Sequence, residues 1–365
     1  MALDEFRPFY KSLNSLTLLN SFTVLNEKDV SRIKEELDNC KNPLFFFHDD
    51  PDGLSSFLLL YRYIREGHGI VFKAKPGLSA KFLPKVAEYS PDKIFILDIP
   101  LVDQEFIDGA KTPVIWIDHH GPYVRTGVKY FNPRIKDKND GTPVTRICYE
   151  VVKQDMWIAA VGSIGDWHIP DFFEEFTSKY PGFADKKVKN PGELYFDSKL
   201  GKLVRIFSYI LKGKMTDANK CFKILTRIND PNEILDRGSS RGSFLVKRFE
   251  KIEKEYQNLL ASAVKEADKD RFLVFIYPED KMSFTGDLSN ELIYRYPDKI
   301  IIVGREKNGE VRISIRSTNV RLPPVIEKAV MGCEGYGGGH EYACGANIKK
   351  EDFPKFVENI KQQIS

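Results

Sequence analysis

Leu44-Phe45-Phe46-Phe47-His48-Asp49-Asp50-Pro51-Asp52-Gly53 is the stretch on which the fold turns. Four large apolar residues in a row, just after Pro43, read as a short strand buried on both faces, since a half-exposed strand alternates. A polar cluster closes that strand, and Leu54 to Ile64 resumes with helical spacing, Ser55 and Ser56 lying in its first turn. The same grammar recurs twice. Lys93-Ile94-Phe95-Ile96-Leu97 ends in Asp98, and Pro113-Val114-Ile115-Trp116-Ile117 ends in Asp118-His119-His120. Short apolar strands separated by helical stretches predict a mainly parallel α/β sheet. In such sheets the ligand crevice lies beyond the carboxyl ends of the strands, so the three clusters are expected to converge there. A further helical stretch, through Cys148–Lys153 and Trp157–Gly162, delivers Gly165-Asp166.

Outward from this core, Glu27 to Leu37 reads as a helix capped by Asn26. Residues 181–192 are rich in Lys, Asp, Gly and Pro and read as a surface loop. Leu203–Leu211, Ala218–Ile228 and Phe244–Ala267 have helical spacing. A second α/β unit opens with Arg271–Tyr277 and Lys299–Val303. Glu310–Arg316 then alternates behind Asn308-Gly309, a two-residue hairpin signal, and a helix over Asp352–Ile364 closes the chain. At 365 residues the chain is long for one hydrophobic core. The expected division is a catalytic domain with an N-terminal helical extension over 1–195, a helical connector over 196–268, and a smaller C-terminal α/β domain over 269–365. The active site is expected in the cleft between the two domains.

Lys and Arg outnumber Asp and Glu by 55 to 52, too slight a surplus for gripping a long duplex by its phosphates alone. A short or single-stranded phosphate substrate fits this balance if a metal centre supplies positive charge locally. Five cysteines form no CxxC pair, which favours a reducing, cytoplasmic setting. The N-terminal MALDEFRPFYKSLNSL carries acidic residues and no secretory signal pattern, and no apolar run approaches the roughly 20 residues of a membrane span. Closely spaced Lys and Glu over 244–267, with limited Asn and Gln, suggest a thermophilic source.

Three of the six histidines, His48, His119 and His120, stand at strand ends, and His168 follows Asp166 by two residues. Two divalent cations about 4 Å apart repel unless several carboxylates neutralise them and one bridges them. Asp50, Asp52, Asp98 and Asp166 supply four charges, while His48 and His119 supply nitrogen ligands suited to manganese, iron or zinc. Asp is also a common N-cap and turn residue, and each of these positions alone carries that simpler reading. Together, with a His-His pair attached, they read as a metal centre.

These residues resemble the motifs of the DHH phosphoesterase superfamily. His48-x-Asp50-x-Asp52-Gly53 is similar to its first motif, Asp98 to its second, Asp118-His119-His120 to its third and Gly165-Asp166 to its fourth. Gly337-Gly338-Gly339-His340-x-x-Ala343-x-Gly345 resembles the glycine-rich signature of the associated DHHA1 domain. The resemblance implies two Mn2+ ions, with Mg2+ or Co2+ as substitutes. It implies that His48 and Asp52 hold one ion, that Asp50, His119 and Asp166 hold the other, and that Asp98 bridges them. Asp118 then orients a histidine and His120 contacts the scissile phosphate, while a water deprotonated between the metals attacks phosphorus in line. Leu54 stands where oligoribonuclease-type members carry a further Asp, which brings the pattern closer to archaeal RecJ-like exonucleases. The chain lacks room for the extra domains of full bacterial RecJ, which implies short substrates or a loading partner.

On the substrate side, Gly337, Gly338 and Gly339 permit close backbone approach to a phosphate, and His340 stands beside them as a donor. Arg316, with Ser317, ends the alternating strand as a phosphate clamp. Tyr336, Tyr342, Phe284 and Trp167 are candidate stacking platforms for bases, though packed rings are as common. Ser283 and Gly286 are placed in a substrate loop, and Lys73 and Lys75, before Pro76, in a basic patch. The leading expectation is a 3′ to 5′ exonuclease on single-stranded DNA or RNA that releases nucleoside monophosphates. Its expected partners are the nucleic acid, a replication or repair protein, and further copies of the chain, with no membrane. The alternatives are a phosphodiesterase for short oligoribonucleotides, pAp or cyclic dinucleotides, and a catalytically silent replication or repair scaffold.

Overall fold

The computed structural model describes residues 25–73, 77–188, 190–267 and 270–364. The N-terminal extension before Leu25, and Lys75 and Pro76 of the basic patch, lie outside the described residues. The chain forms two compact units, one within Asn20–Phe249 and one within Glu250–Ser365. The segment expected as a connector, 196–268, is divided between them, and the long helix Ser240–Lys265 carries the boundary. The helix Lys199–Ile210 shows why. Leu200, Leu203, Val204, Ile206, Phe207 and Ile210 are buried, an apolar stripe that needs a neighbouring body. Part of that body is the helix Met156–Gly165, where Phe207 meets Trp157 edge-on at 6.0 Å.

The first unit is built on five strands, β1 (Pro43–His48), β2 (His68–Phe72), β3 (Lys93–Leu97), β4 (Val114–Ile117) and β5 (Val128–Phe131), in the order β2-β1-β3-β4-β5. Every neighbouring pair is parallel. The run of phenylalanines in β1 serves both faces. Leu44 and Phe46 join a cluster with Ile94, Ile96, Trp116 and Phe106. Phe45 stacks on Phe95 at 5.2 Å, and Phe47 stacks on Phe57 of the helix Pro51–Ile64 at 4.5 Å. Strands β2 and β5 escaped the sequence reading, being short and broken by His68-Gly69 and Lys129.

Register sets the level of the functional residues. Phe47 pairs with Leu97, Leu97 with Ile117 and Ile117 with Phe131. The next residues along these four strands, His48, Asp98, Asp118 and Asn132, therefore stand level at the carboxyl edge. The chain leaves β1 for β2 on one side and returns to β3 on the other, a switch point of the kind that opens a crevice in open α/β sheets.

The second unit carries β6 (Phe272–Tyr277), β7 (Ile300–Lys307), β8 (Glu310–Arg316), β9 (Gly335–His340) and β10 (Ala343–Lys349) in the order β6-β7-β8-β10-β9. In this sheet β6 and β7 pair in parallel and the other neighbours are antiparallel. Asn308 and Gly309 take φ of 52° and 76° between the paired Lys307 and Glu310, the left-handed pair a two-residue hairpin turn requires. Val311, Ile313 and Ile315 point into a core with the helices Leu322–Ala329 and Phe353–Ile364. All five cysteines are free. Among the described residues no helix is long and apolar enough to cross a membrane.

Candidate metal centre

The helix after β1 starts at Pro51, three residues earlier than its apolar body suggests, because Asp50 is its N-cap and Pro51 presets the first helical φ. Asp50 Oδ1 accepts from the Gly53 N–H at 2.9 Å, and Asp50 Oδ2 meets His48 Nδ1 at 2.5 Å. The capping and ligand readings of this Asp are thus both satisfied, one by each oxygen. Gly53 is needed because the first turn folds back on the strand end, where a Cβ would lie 2.6 Å from the His48 backbone. Asp52, only 2% exposed, turns the other way. Its carboxylate accepts from the N–H groups of Val144 and Thr145 at 3.0 and 2.7 Å, so it caps the helix Val144–Val152 and gains from that helix's positive end.

Asp98 follows β3 in a left-handed conformation, φ 58°, with its N–H donated to Ile117 O at 3.0 Å. Short polar residues tolerate this region at some strain, and such strain concentrates at functional sites. Its carboxylate is the hub. Oδ2 lies 3.5 Å from His48 Nδ1, and Oδ1 lies 3.3 Å from His119 Nε2 and 3.8 Å from His120 Nδ1. His119 also reaches Asp52 Oδ2 at 3.9 Å and, through Nδ1, Asp166 Oδ2 at 3.6 Å. Asp166 sits at the C-cap of the helix Met156–Gly165.

His48, Asp50 and Asp98 form one group whose donor atoms lie within 4.8 Å of one another, and Asp52, His119 and Asp166 form another. A third group joins Asp98, His119 and His120. These groupings differ from the expected division, which paired His48 with Asp52 and Asp50 with His119 and Asp166. The reason is local: the N-cap Asp50 stays beside the strand end, whereas Asp52, one step into the helix, faces Val144.

The third strand end is braced by its neighbours. Asp118 is fully buried and holds His120 twice, through Nδ1 at 2.8 Å and through the backbone N–H at 3.1 Å. Asn132, absent from the sequence reading, donates through Nδ2 to His120 O at 2.9 Å and lies 3.3 Å from Asp118 Oδ2. Its Oδ1 accepts the Arg134 N–H at 2.9 Å. Asn132-Pro133 after an apolar strand was the available signal, but β5 itself was too short to read.

Burial opposes charge on both His48 and His119, yet the surrounding carboxylates outweigh it. Asp50 and Asp98 raise His48, and Asp166, Asp98 and Asp52 raise His119, each well above the usual imidazole range. Asp98 is held far below the usual carboxylate range, because His119 and His48 overcome its burial. Burial and the charge of Asp98 push Asp52 well up, and burial with Asp98 and Asp50 pushes Asp166 up to about 6. Buried Asp98 Oδ1 and His119 Nδ1 have no hydrogen-bond partner. Carboxylates crowded together, imidazoles forced to hold protons, and orphaned ligand atoms are what a divalent cation resolves. The residues present fit one.

The candidate substrate residues of the second unit are arranged differently. Arg316 Nε donates to Asn290 Oδ1 at 2.8 Å, a partner not foreseen. Ser317 is fully buried and its hydroxyl accepts the Val320 N–H at 3.0 Å, so it braces a turn where substrate contact was expected. Gly337, Gly338 and Gly339 lie in the exposed edge strand β9, not in a flexible turn. A Cβ at Gly337 would strike Ile326, one at Gly339 would strike Ala343 O at 2.6 Å, and one at Gly338 would meet nothing. Only at Gly338 does packing leave the missing side chain unexplained. His340 is exposed beside them. Phe284 is fully buried and does not present a face for stacking, Trp167 stacks on Tyr195 at 5.6 Å, and Tyr336 is 72% exposed. Tyr342 is half-buried, Ser283 is exposed and Gly286 half-buried at the start of the helix Thr285–Arg295, and Lys73 donates to Leu211 O.

Residues 44–169 match the DHH family, N-terminal domain, and residues 271–365 match the DHHA1 domain. No curated protein sequence matches the chain. Among solved structures the chain is similar to RecJ from Thermus thermophilus in complex with Mn2+, at 15% identity and a TM-score of 0.66, over 92% of this chain and 54% of that one. It thus spans about half the length of the Thermus protein. It is similar also to an exonuclease RecJ bound to manganese (14% identity, TM-score 0.59, 92% and 93% covered) and to the DHH domain of a member of a ribosomal-protein family (13%, 0.64, 98% and 92%). At these identities the likeness is one of fold. With both domain types matched in order along one sequence, the chain belongs to the DHH/DHHA1 superfamily.

Proposed function

We propose that the chain is a metal-dependent phosphodiesterase, a 3′ to 5′ exonuclease that releases nucleoside monophosphates from single-stranded DNA or RNA with two Mn2+ ions. The observation that carries the reading is Asp98: a buried carboxylate with an orphaned oxygen, flanked by one ligand group on each side. His48, Asp50 and Asp98 would hold one ion, and Asp52, His119, Asp166 and Asp98 the other. When bound, such ions neutralise the phosphodiester and lower the pKa of water to supply a nucleophile at neutral pH.

The chain's own residues do the rest. Asp118 takes the proton-bearing Nδ1 of His120, which leaves Nε2 as the ring atom able to meet a phosphoryl oxygen. Burial opposes a proton on His120, but Asp118 and Asp98 raise its pKa. A protonated His120 would stabilise developing negative charge or supply a proton to the leaving oxygen. Asn132 keeps Asp118 and the His120 carbonyl in place, so the imidazole loses little freedom on binding substrate. In this reading Arg316, Gly338 and His340 of the second unit take phosphates of the same strand, and a replication or repair protein delivers longer substrates.

Purified protein with Mn2+ is incubated with 5′- and 3′-labelled DNA and RNA oligomers of two to thirty nucleotides. A ladder of monophosphate products shrinking from the 3′ end is expected. Cleavage of dinucleotides or cyclic dinucleotides alone overturns the exonuclease reading in favour of a short-substrate phosphodiesterase. Tight Mn2+ binding with no hydrolysis of any phosphodiester overturns both and leaves a silent scaffold.

A further inference from the structure

The helices Pro51–Ile64, Val144–Val152 and Met156–Gly165 of the first unit meet in an apolar core that nevertheless encloses hydroxyls. Ser55, Ser56, Thr145 and Ser163 are each fully buried. A buried hydroxyl costs stability unless it is hydrogen-bonded, and Ser55 and Ser163 have no partner among the described residues. Thr145 is the one that reaches a ligand of the metal centre. Its Oγ1 donates to Asp52 O at 2.9 Å and lies 3.3 Å from Ser56 Oγ. Its N–H donates to the Asp52 carboxylate at 2.7 Å. The lock is reciprocal. The carboxylate satisfies an orphan N–H at the start of one helix, and a hydroxyl of that helix returns to the backbone of the other. The N–H contact fixes the carboxylate, and the hydroxyl fixes the backbone that carries it.

Gly162 completes the arrangement. A Cβ there would strike Thr145 Oγ1 and lie 2.7 Å from Thr145 Cγ2 and from Ser55 Cβ, separations that a close-packed interior does not tolerate. The helix Met156–Gly165 thus passes nearer to Thr145 than any side chain at this position would allow. One turn further on stands Asp166, whose N–H donates to Gly162 O at 3.1 Å. Thr145 therefore touches the backbone of Asp52 on one side and, on the other, the turn that carries Asp166. Those two aspartates form one ligand group with His119.

We propose that Thr145 is a positioning residue that, seated against Gly162, sets the separation of Asp52 and Asp166 and so the fit of that ligand group to a divalent cation. This role rests on the metal-centre reading of the two aspartates. Groups that hold a ligand in place tune its metal, and losing one typically weakens binding about 10- to 100-fold.

The test uses Thr145→Val, Thr145→Ser and Gly162→Ala in the full chain, each titrated calorimetrically with Mn2+ alone. Valine keeps the volume and removes the hydroxyl, whereas serine keeps the hydroxyl and removes a methyl. T145V is expected to bind Mn2+ about tenfold or more weakly, and T145S within about twofold of wild type. G162A, which forces the same two helices apart, is expected to lose at least as much as T145V. A residue that only fills space gives the opposite order, because serine gives up volume and valine does not. T145S that loses as much as T145V, or unchanged Mn2+ affinity in T145V or G162A, overturns the proposal. If T145V or G162A melts early, Thr145→Ala decides by the same comparison with T145S. Wild-type protein that binds no Mn2+ overturns the metal reading and the proposal together; a wild type that binds Mn2+ beside an unaffected T145V overturns the proposal alone. Mn2+ binding that depends on the Thr145 hydroxyl in a chain that cleaves no oligomer sinks the phosphodiesterase reading and keeps the positioning role.

Discussion

In the first unit four aspartates crowd around imidazoles at a sheet's carboxyl edge; in the second, a lone guanidinium stands among amide and carbonyl groups. The two regions are electrostatic opposites. Around Asp98 the chain is short of positive charge, and around Arg316 it is short of negative charge. Neither deficit is fully repaired from within: Asp98 Oδ1 and His119 Nδ1 have ion-pair neighbours but no hydrogen bond, and Arg316 meets only neutral acceptors. On the proposed function, divalent cations and a phosphate ester would supply the two missing signs. The regions also differ in construction. The acidic centre gathers side chains from four strand or helix ends, while the region around Arg316 has one strand end, one helix amide and an edge strand whose middle glycine leaves open space.

The sharpest way to break this contrast is at its hub. Asp98→Asn keeps the shape but removes the shared charge, and hydrolysis of a labelled oligomer is expected to fall roughly a thousandfold, with Mn2+ affinity falling alongside. Undiminished turnover by D98N would falsify a metal centre that shares Asp98. Asn132→Ala acts one step out, loosening Asp118 and His120 while leaving every ligand in place. Its kcat is expected to drop about 10- to 100-fold with Mn2+ binding nearly intact, and an equal loss of metal affinity would show that Asn132 supports the ligands instead.

Protons and metal compete for the acidic centre. Asp166 is raised to about 6, so between the usual carboxylate range and pH 6 the metal-free folded chain holds a proton that the unfolded chain has released. By linkage, this group's contribution to stability falls as pH rises through that window. On the proposed function Mn2+ would displace the proton, and its affinity is expected to weaken up to about tenfold per pH unit below 6. The melting-temperature shift produced by a fixed Mn2+ concentration should therefore be larger at pH 7.5 than at pH 5; equal shifts would contradict the proposed competition. The smallest effects belong to the glycine strand. Gly338→Ala meets no atom and is expected to leave the melting temperature unchanged while weakening substrate binding a few-fold. Gly339→Ala, with φ 148° and a clash at Ala343 O, is expected to destabilise the second unit by about 1–3 kcal/mol. Identical melting of the two variants would remove the distinction between a packing glycine and an access glycine.

What was legible in sequence was local. Apolar runs ending in Asp or His announced β1, β3 and β4, the Asn308-Gly309 turn announced its hairpin, and the parallel arrangement placed the clusters at one edge. Those features depend on side-chain periodicity and backbone preference within a few residues. Tertiary packing decided the rest. It set Asp52 against Val144 and Thr145, 92 and 93 residues away, and so divided the ligands between the two groups. It brought Asn132 beneath Asp118, put Asn290 against Arg316, and buried Ser317 and Phe284. Such partners are chosen by which surfaces meet when helices pack on sheets, and that depends on the volume and register of the whole unit, which no short stretch of chain encodes.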